Sequence, residues 1–294
     1  MSMSSADVLQ FVASGLQNGA IYALMALGFT LVFASTGIIN FAQGEFFMLG
    51  GMLAAAGMAA GVPLGVSVLA AVAATTLVGC LVERLALRPA RSAGGLALVI
   101  ITIGCSMLIK SGARHLFGPD ERALPAFTAG EPLSVGGALI EPQAVWVLVL
   151  ALAAAVGLTV LYRWTKMGLA MRACSISHDA ARIVGVDTAR VVMLSFGLAG
   201  ALGALAGAVV APITQTAYDV GARMGLKGFA AALLGGLGDP VGAIVGGFVL
   251  GLLESGAVAV VSGTYKDAVA LVVLLVVLVL RPQGILGRHL GEKL

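Results

Sequence analysis

From Val8 to Gly44, and again from Phe46 to Val82, the chain carries no charged side chain. No other feature constrains its fold as tightly. Each run is longer than the ~20 apolar residues that cross a ~30 Å hydrocarbon layer, and in lipid the backbone can satisfy its hydrogen bonds only in helices or closed barrels. The expectation is an all-α polytopic membrane protein with about eight transmembrane helices, one of them a broken or re-entrant Gly-rich segment.

Composition leaves little room for a soluble domain. Of 294 residues 60% are hydrophobic and 11% charged, against ~25% charged in an average soluble domain. The 41 glycines are about twice the usual ~7% share, which in membrane helices points to close backbone approach. The net charge of +3 reflects loop bias and gives no sign of a nucleic-acid partner. Cys80, Cys105 and Cys174 lack metal or disulfide spacing and read as small core residues. Met1 to Asp7 lacks a secretory leader pattern, so the first apolar segment is expected to stay in the mature protein.

Apolar runs place spans near 8–34, 41–60, 63–83, 93–112, 143–162, 191–213 and 264–281, with the broken segment at 226–256. Eleven of the seventeen basic residues fall in three places: Arg84, Arg88 and Arg91; Arg163, Lys166, Arg172, Arg182 and Arg190; and Arg281, Arg288 and Lys293. These mark the cytoplasmic side. The loop 113–142, with Asp120, Glu121, Glu131, Glu141 and several prolines, is assigned outside, as a docking surface. The same parity puts the N-terminus outside and makes 226–256 enter and return on the external side. Its break centres on Gly235, Gly236, Gly238, Asp239 and Pro240, where proline removes a donor and glycine permits turns closed to other residues.

Three Gly-x-x-x-Gly pairs, Gly15/Gly19, Gly203/Gly207 and Gly242/Gly246, are expected to pack helices within the chain. The segments Gly44–Gly51 and Gly228–Gly236 echo one another, as in transporters built from repeated halves. No phosphate-binding loop, dinucleotide fingerprint, nucleophile elbow or zinc spacing is present, so no cofactor, metal or catalytic residue is assigned. His115, His178 and His289 read as solvated loop residues. Intramembrane charge is scarce: Glu45 and Asp239 read as caps or cavity residues at glycine-flanked breaks, Glu254 and Lys110 as interfacial.

The stretches Gly15–Phe33, Thr36–Gly51, Gly168-x-x-x-Arg172-Ala173, Gly185-Val-Asp187 and Gly235-Gly-Leu-Gly-Asp-Pro-x-Gly242 resemble the permeases of ATP-binding-cassette importers for branched-chain amino acids, the Liv-type H subunit family. The resemblance covers nearly the whole chain. It implies an importer permease architecture as a single transmembrane domain over residues 1–294, in a multi-pass protein of the cell inner membrane. It also implies a heterodimer with a second permease subunit, two cytoplasmic ATPase subunits that hydrolyse the ATP, and a periplasmic substrate-binding protein. Membrane lipid surrounds the assembly and no nucleic acid takes part.

Within the basic loop 163–190, residues 174 to 185 suit an amphipathic coupling helix, with Ile176, Ala180, Ile183 and Val184 as an apolar stripe. The residues expected to couple to the ATPase are Arg172, Ala173, Ser177, His178, Asp179, Ala180, Ala181, Arg182, Ile183 and Gly185. An ordinary solvated connecting helix is the alternative reading of this segment. The substrate pathway is expected along Gln17, Asn18, Thr36, Asn40, Gln43 and Glu45, because amides can bind a zwitterion without a buried charge. Helix packing through amide bonds is the rival for Gln17 and Asn18. Urea or short-amide import by a related permease, and a self-sufficient secondary carrier or channel, are the competing functions. The basic loop and the lack of midplane charge favour the ATP-driven importer.

Overall fold

The computed structural model describes residues 5–91, 93–260, 266–281 and 283–287. Eleven α-helices account for most of them. In order these are α1 (Ser5–Thr36), α2 (Gln43–Ala59), α3 (Leu64–Leu81), α4 (Gly94–Phe117), α5 (Pro142–Trp164), α6 (Lys166–Ile176), α7 (His178–Ile183), α8 (Thr188–Thr214), α9 (Val220–Gly235), α10 (Pro240–Val260) and α11 (Lys266–Leu280). α3 runs on into a π-helical segment, Val82–Leu87. The one sheet among the described residues is a hairpin of β1 (Leu133–Val135) and β2 (Ala138–Ile140), closed by Gly136 and Gly137 at positive φ. Among the described residues six helices are long and apolar enough to cross a membrane; α2, α9 and α11, with 17, 16 and 15 residues, are shorter than those six.

The two ends of the bundle differ. At the basic end lie the end of α1, the π-helical segment, α6, α7 and the α9–α10 turn; at the hairpin end, Gln10 of α1 exchanges hydrogen bonds with the backbone of Leu139, at 2.9 and 3.2 Å. α1 and α8 run in opposite senses through the centre and are buried over most of their length. Each then breaks. After α1 the chain turns at Gly37 (φ +72) and α2 begins only at Gln43; after α8, Gln215 at φ +58 and an extended stretch lead to α9. An antiparallel bridge between Thr216 and Arg122 ties that stretch to the external loop.

The packing repeats itself in inverted form. α10 lies antiparallel on α1, with Gly15 against Leu252 and Gly19 against Phe248, while α3 lies antiparallel on α8, with Gly200 against Thr75 and Gly79 against Phe196. α2 packs on α8 through Gly50 and Gly207, and α9 on α1 through Gly228. α1, α2 and α3 therefore correspond to α8, α9 and α10, in the arrangement of transporters built from inverted halves.

Four expectations change. The span placed at 41–60 is not a crossing helix: α2 starts beside Gly28 and Ala199, part-way down α1 and α8, and is buried on nearly every side. The broken segment begins at Val220, not 226, and its turn at 236–239 lies against Phe33 at the basic end, so the hairpin reaches that end before returning. The halves do correspond through α2 and α9, but Gly44 stands at the start of α2 as Gly221 does at the start of α9; the echo with Gly228 was out of register by seven residues. α4 continues to Phe117, which shortens the external loop. Residues 1–4, the segment 261–265, Arg288, His289 and Lys293 lie outside the described residues, and with them the expected external N-terminus and most of the basic tail.

All three Gly-x-x-x-Gly pairs face helices of this chain: Gly15 and Gly19 meet α10, Gly203 and Gly207 meet α2, and Gly242 and Gly246 meet α9. A Cβ on Gly207 would fall on the carbonyl oxygen of Phe47, whereas one on Gly104 would meet nothing within 4 Å. Gly207→Ala is expected to cost about 1–3 kcal/mol by overpacking, and Gly104→Ala to stay within about 0.5 kcal/mol. Thermal unfolding of the two variants in detergent checks the difference.

Candidate functional site

The break after α1 is built by its own polar side chains. Thr36 Oγ1 donates to Val32 O and accepts from the Ile38 N–H, closing α1. Asn40 Oδ1 accepts the Ala42 N–H at 3.1 Å, and the Phe41 N–H reaches Thr102 Oγ1 on α4. Gln43 opens α2, donates from Nε2 to Ala199 O on α8 at 3.0 Å, and lies against Gly28, where any Cβ would collide with it. Gly28 is eight residues from the end of α1 and Ala199 eleven from the start of α8, which puts Gln43 roughly 12–16 Å in from the basic end.

Glu45, in the first turn of α2, accepts from Ser106 Oγ at 3.1 Å and lies against Gly221. Gly44 packs on Gly221 and Gly225, so the N-termini of α2 and α9 meet beside this carboxylate. Both helix dipoles bring their positive ends there. Asn40, Gln43 and Glu45 are 0%, 0% and 2% exposed, yet Asn40 Nδ2, Gln43 Oε1 and Glu45 Oε2 have no hydrogen-bond partner in the protein. An unpaired buried polar atom costs about 1–3 kcal/mol, so three in one short segment call for water or a polar ligand.

The remaining residues expected on the pathway lie elsewhere. Gln17 lines a cavity of about 420 Å³ under the β-hairpin, eleven residues up α1 from Gly28, and Asn18 follows it half-buried. Thr36 lines a different cavity at the basic end. The structure gathers Asn40, Gln43 and Glu45 and separates them from the other three.

Sequence reasoning missed a buried ion pair. Lys227 on α9 donates to Glu254 Oε1 at 2.6 Å and to the Tyr22 hydroxyl at 3.2 Å, and Tyr22 donates to Glu254 Oε2 at 2.6 Å. Glu254 is thus buried among α1, α9 and α10, not interfacial. No local signal in the sequence joins the two: the hairpin register, with Gly235 against Gly242 and Ala231 against Gly246, is what puts Lys227 opposite Leu250, one turn from Glu254. Lys110 instead stacks on the Tyr218 ring, 5.8 Å from its centroid.

The α9–α10 break is ordered by short contacts. Gly236 and Gly238 take φ of +107° and +94°, and Gly235 packs on Gly242 more closely than a Cβ permits. Asp239 Oδ1 accepts the Val241 N–H at 2.9 Å, with Pro240 opening α10.

In the basic loop Thr165 caps α6, Ser177 caps α7 and Asp187 caps α8, each side chain accepting backbone N–H bonds. Gly185, at φ +88, follows the end of α7. Ile176, Ile183 and Val184 are 75%, 86% and 76% exposed, and Arg172, Asp179 and Ala180 are exposed beside them. Ala173 is half-buried. Two expectations need correction. Ala181 is buried in the core, so it supports the loop from beneath and does not face outward. His178 is half-buried and not a freely solvated loop residue: it lines the basic-end cavity with Arg182, whose Nε donates to Thr188 Oγ1.

A family model described as branched-chain amino acid transport system / permease component matches residues 11–278. The chain is 34% identical over 300 residues to the high-affinity branched-chain amino acid transport system permease protein LivH of Escherichia coli K12, covering 97% of both chains. It is 34% identical to the corresponding permease BraD of Pseudomonas aeruginosa, again over 97% of both. It is also 28% identical to the ribose import permease protein RbsC of Escherichia coli K12, over 90% of this chain and 83% of that one.

Lys227→Met would leave Glu254 buried without its cation, a change that costs about 3–5 kcal/mol. The double variant Lys227→Met/Glu254→Met is expected to recover much of that loss in detergent melting experiments. Burial, with Arg182 and Arg91 nearby, lowers the His178 pKa below the usual 6.5, so its ring is neutral at pH 7. A lowered pKa means that the contribution to stability is present above about 6.5 and is lost as pH falls from there. The check is NMR titration of His178 in a His115→Gln/His289→Gln background, with a midpoint expected below 6.5.

Proposed function

We propose that this chain, which belongs to the family of branched-chain amino acid transport permease components, is the membrane-spanning subunit of an ATP-driven importer of branched-chain or similar hydrophobic amino acids. Full-length similarity at 34% identity to two such permeases supports the transport class. The cluster of unpaired buried atoms at Asn40, Gln43 and Glu45 is the observation that carries the pathway assignment. It offers donors and acceptors half-way through the bundle without a buried cation, which suits a zwitterion shedding its water. Gln17, in the outer cavity, and Thr36, near the inner one, stand as approach and exit along the same route.

The chain acts as one permease domain and has no energy source of its own. ATP hydrolysis belongs to two cytoplasmic ATPase subunits, and the exposed Ile176, Ile183 and Val184, with Arg172, Asp179 and Ala180 around them, form the surface that receives one of them. Apolar side chains three-quarters or more exposed on a short capped helix favour a partner over a solvated connector. A second permease completes the translocation unit and a periplasmic binding protein delivers substrate at the hairpin end. The inverted halves supply the movement, through rocking of packed helices about the central breaks.

Asn40→Leu or Gln43→Leu is expected to preserve assembly with the ATPase and lower leucine uptake per assembled complex by roughly tenfold, the loss of one or two hydrogen bonds. Reconstituted vesicles give that ratio, and parent-level uptake for both variants would end the pathway assignment. Ala180→Glu, on the exposed face of α7, is expected to separate ATP hydrolysis from uptake or release the ATPase while membrane insertion stays normal. Ala181 is unsuitable for this test because the same change there would disturb the core.

A further inference from the structure

A cavity of about 250 Å³ opens at the basic end, walled by the π-helical segment, α4, α7, α8 and the chain following α1. It is smaller than the roughly 300–1,000 Å³ of pockets for drug-sized ligands and in scale with one free amino acid. Glu83 stands in its wall, 0% exposed, on the π-helical turn; such turns often mark functional sites. Its Oε1 accepts from Arg91 Nη2 at 2.6 Å, but Oε2 has no partner. A buried carboxylate oxygen without a partner, on a residue that lines a cavity, calls for a donor. Arg182 and His178 of α7 line another part of the wall, and the rest is apolar, with Ile38, Leu98 and Val192.

We propose that this cavity binds a free aliphatic amino acid from the cytoplasm. The ammonium group donates to Glu83 Oε2, the carboxylate meets the Arg182 guanidinium, and the branched side chain lies against Ile38, Leu98 and Val192. Such a ligand joins α7 to the π-helical segment and α8. Because α7 is the element proposed above to receive the ATPase, occupancy holds it still and slows import when internal amino acid is plentiful. Only this regulatory half rests on that proposal.

The test uses the assembled importer in lipid nanodiscs, without ATP or binding protein, and equilibrium binding of radiolabelled L-leucine. Saturable binding is expected. Glu83→Gln and Leu98→Trp should each weaken it by roughly tenfold or more, the effect of one charge-assisted hydrogen bond or of filling the apolar end. The cavity component is the part of the saturable binding that remains in Asn40→Leu, which alters the pathway segment instead. 4-Methylpentanoate, which lacks the ammonium, and 3-methylbutylamine, which lacks the carboxylate, should compete at least tenfold more weakly than leucine. No saturable binding by the parent, or parent-like binding by both cavity variants, would overturn the site. In vesicles loaded with leucine on the ATPase side, uptake should slow in the parent and not in Leu98→Trp; equal slowing in both, or none in the parent, would remove the regulatory half. Intact cavity binding in a complex that imports no amino acid would instead count against the transport reading.

Discussion

Two long helices, charged only in their first turns at Asp7 and Arg190, have to be held together in a solvent as apolar as they are. Lipid offers no hydrophobic reward for helix association, so attraction must come from close packing of backbones. α1 and α8 meet that demand with glycines: Gly19 and Gly251 bring α1 onto α10, and Gly207 brings α8 onto Phe47 of α2. Everything functional hangs on these contacts, because they fix where the two central helices may stop.

Both stop short of a neighbouring half-helix, and the halves interlock. α2 starts where Gln43 fits the gap at Gly28, and α9 starts where Gly221 meets Gly44. The result is a polar seam inside an otherwise apolar bundle, flanked by the Tyr22–Glu254–Lys227 cluster. Lys227, Glu254 and Tyr22 all bond one another, whereas the seam is left with unpaired atoms. The contrast separates a group of residues that fastens helices from one that is open to a visitor.

Much of this was legible in the sequence. The charge-free runs, the placement of arginines and the Gly-Asp-Pro interruption carry the fold class and the site of the second break, since a missing donor or a missing charge is a local property. Depth is not local. Nothing in the run Gln43–Ala59 tells that it is wrapped by protein and not lipid, because both surroundings accept the same apolar side chains. Ala181 and Ala180 differ only in which way a six-residue helix is turned, and that is set by the packing of α6 and α8 beneath it. Lys227 and Glu254 become partners only once the hairpin register is known.

The end of α9 is finished by a distant part of the chain. The N–H groups of Ile285 and Leu286 donate to the carbonyls of Leu234 and Gly235, at 2.8 and 3.1 Å, so the last turn of the half-helix is completed by residues fifty positions downstream. During synthesis at about 5–20 residues per second, those carbonyls wait roughly three to ten seconds for their donors. The closing turn of this half-helix, at the end away from the polar seam, is therefore completed only after all of α11 has been made.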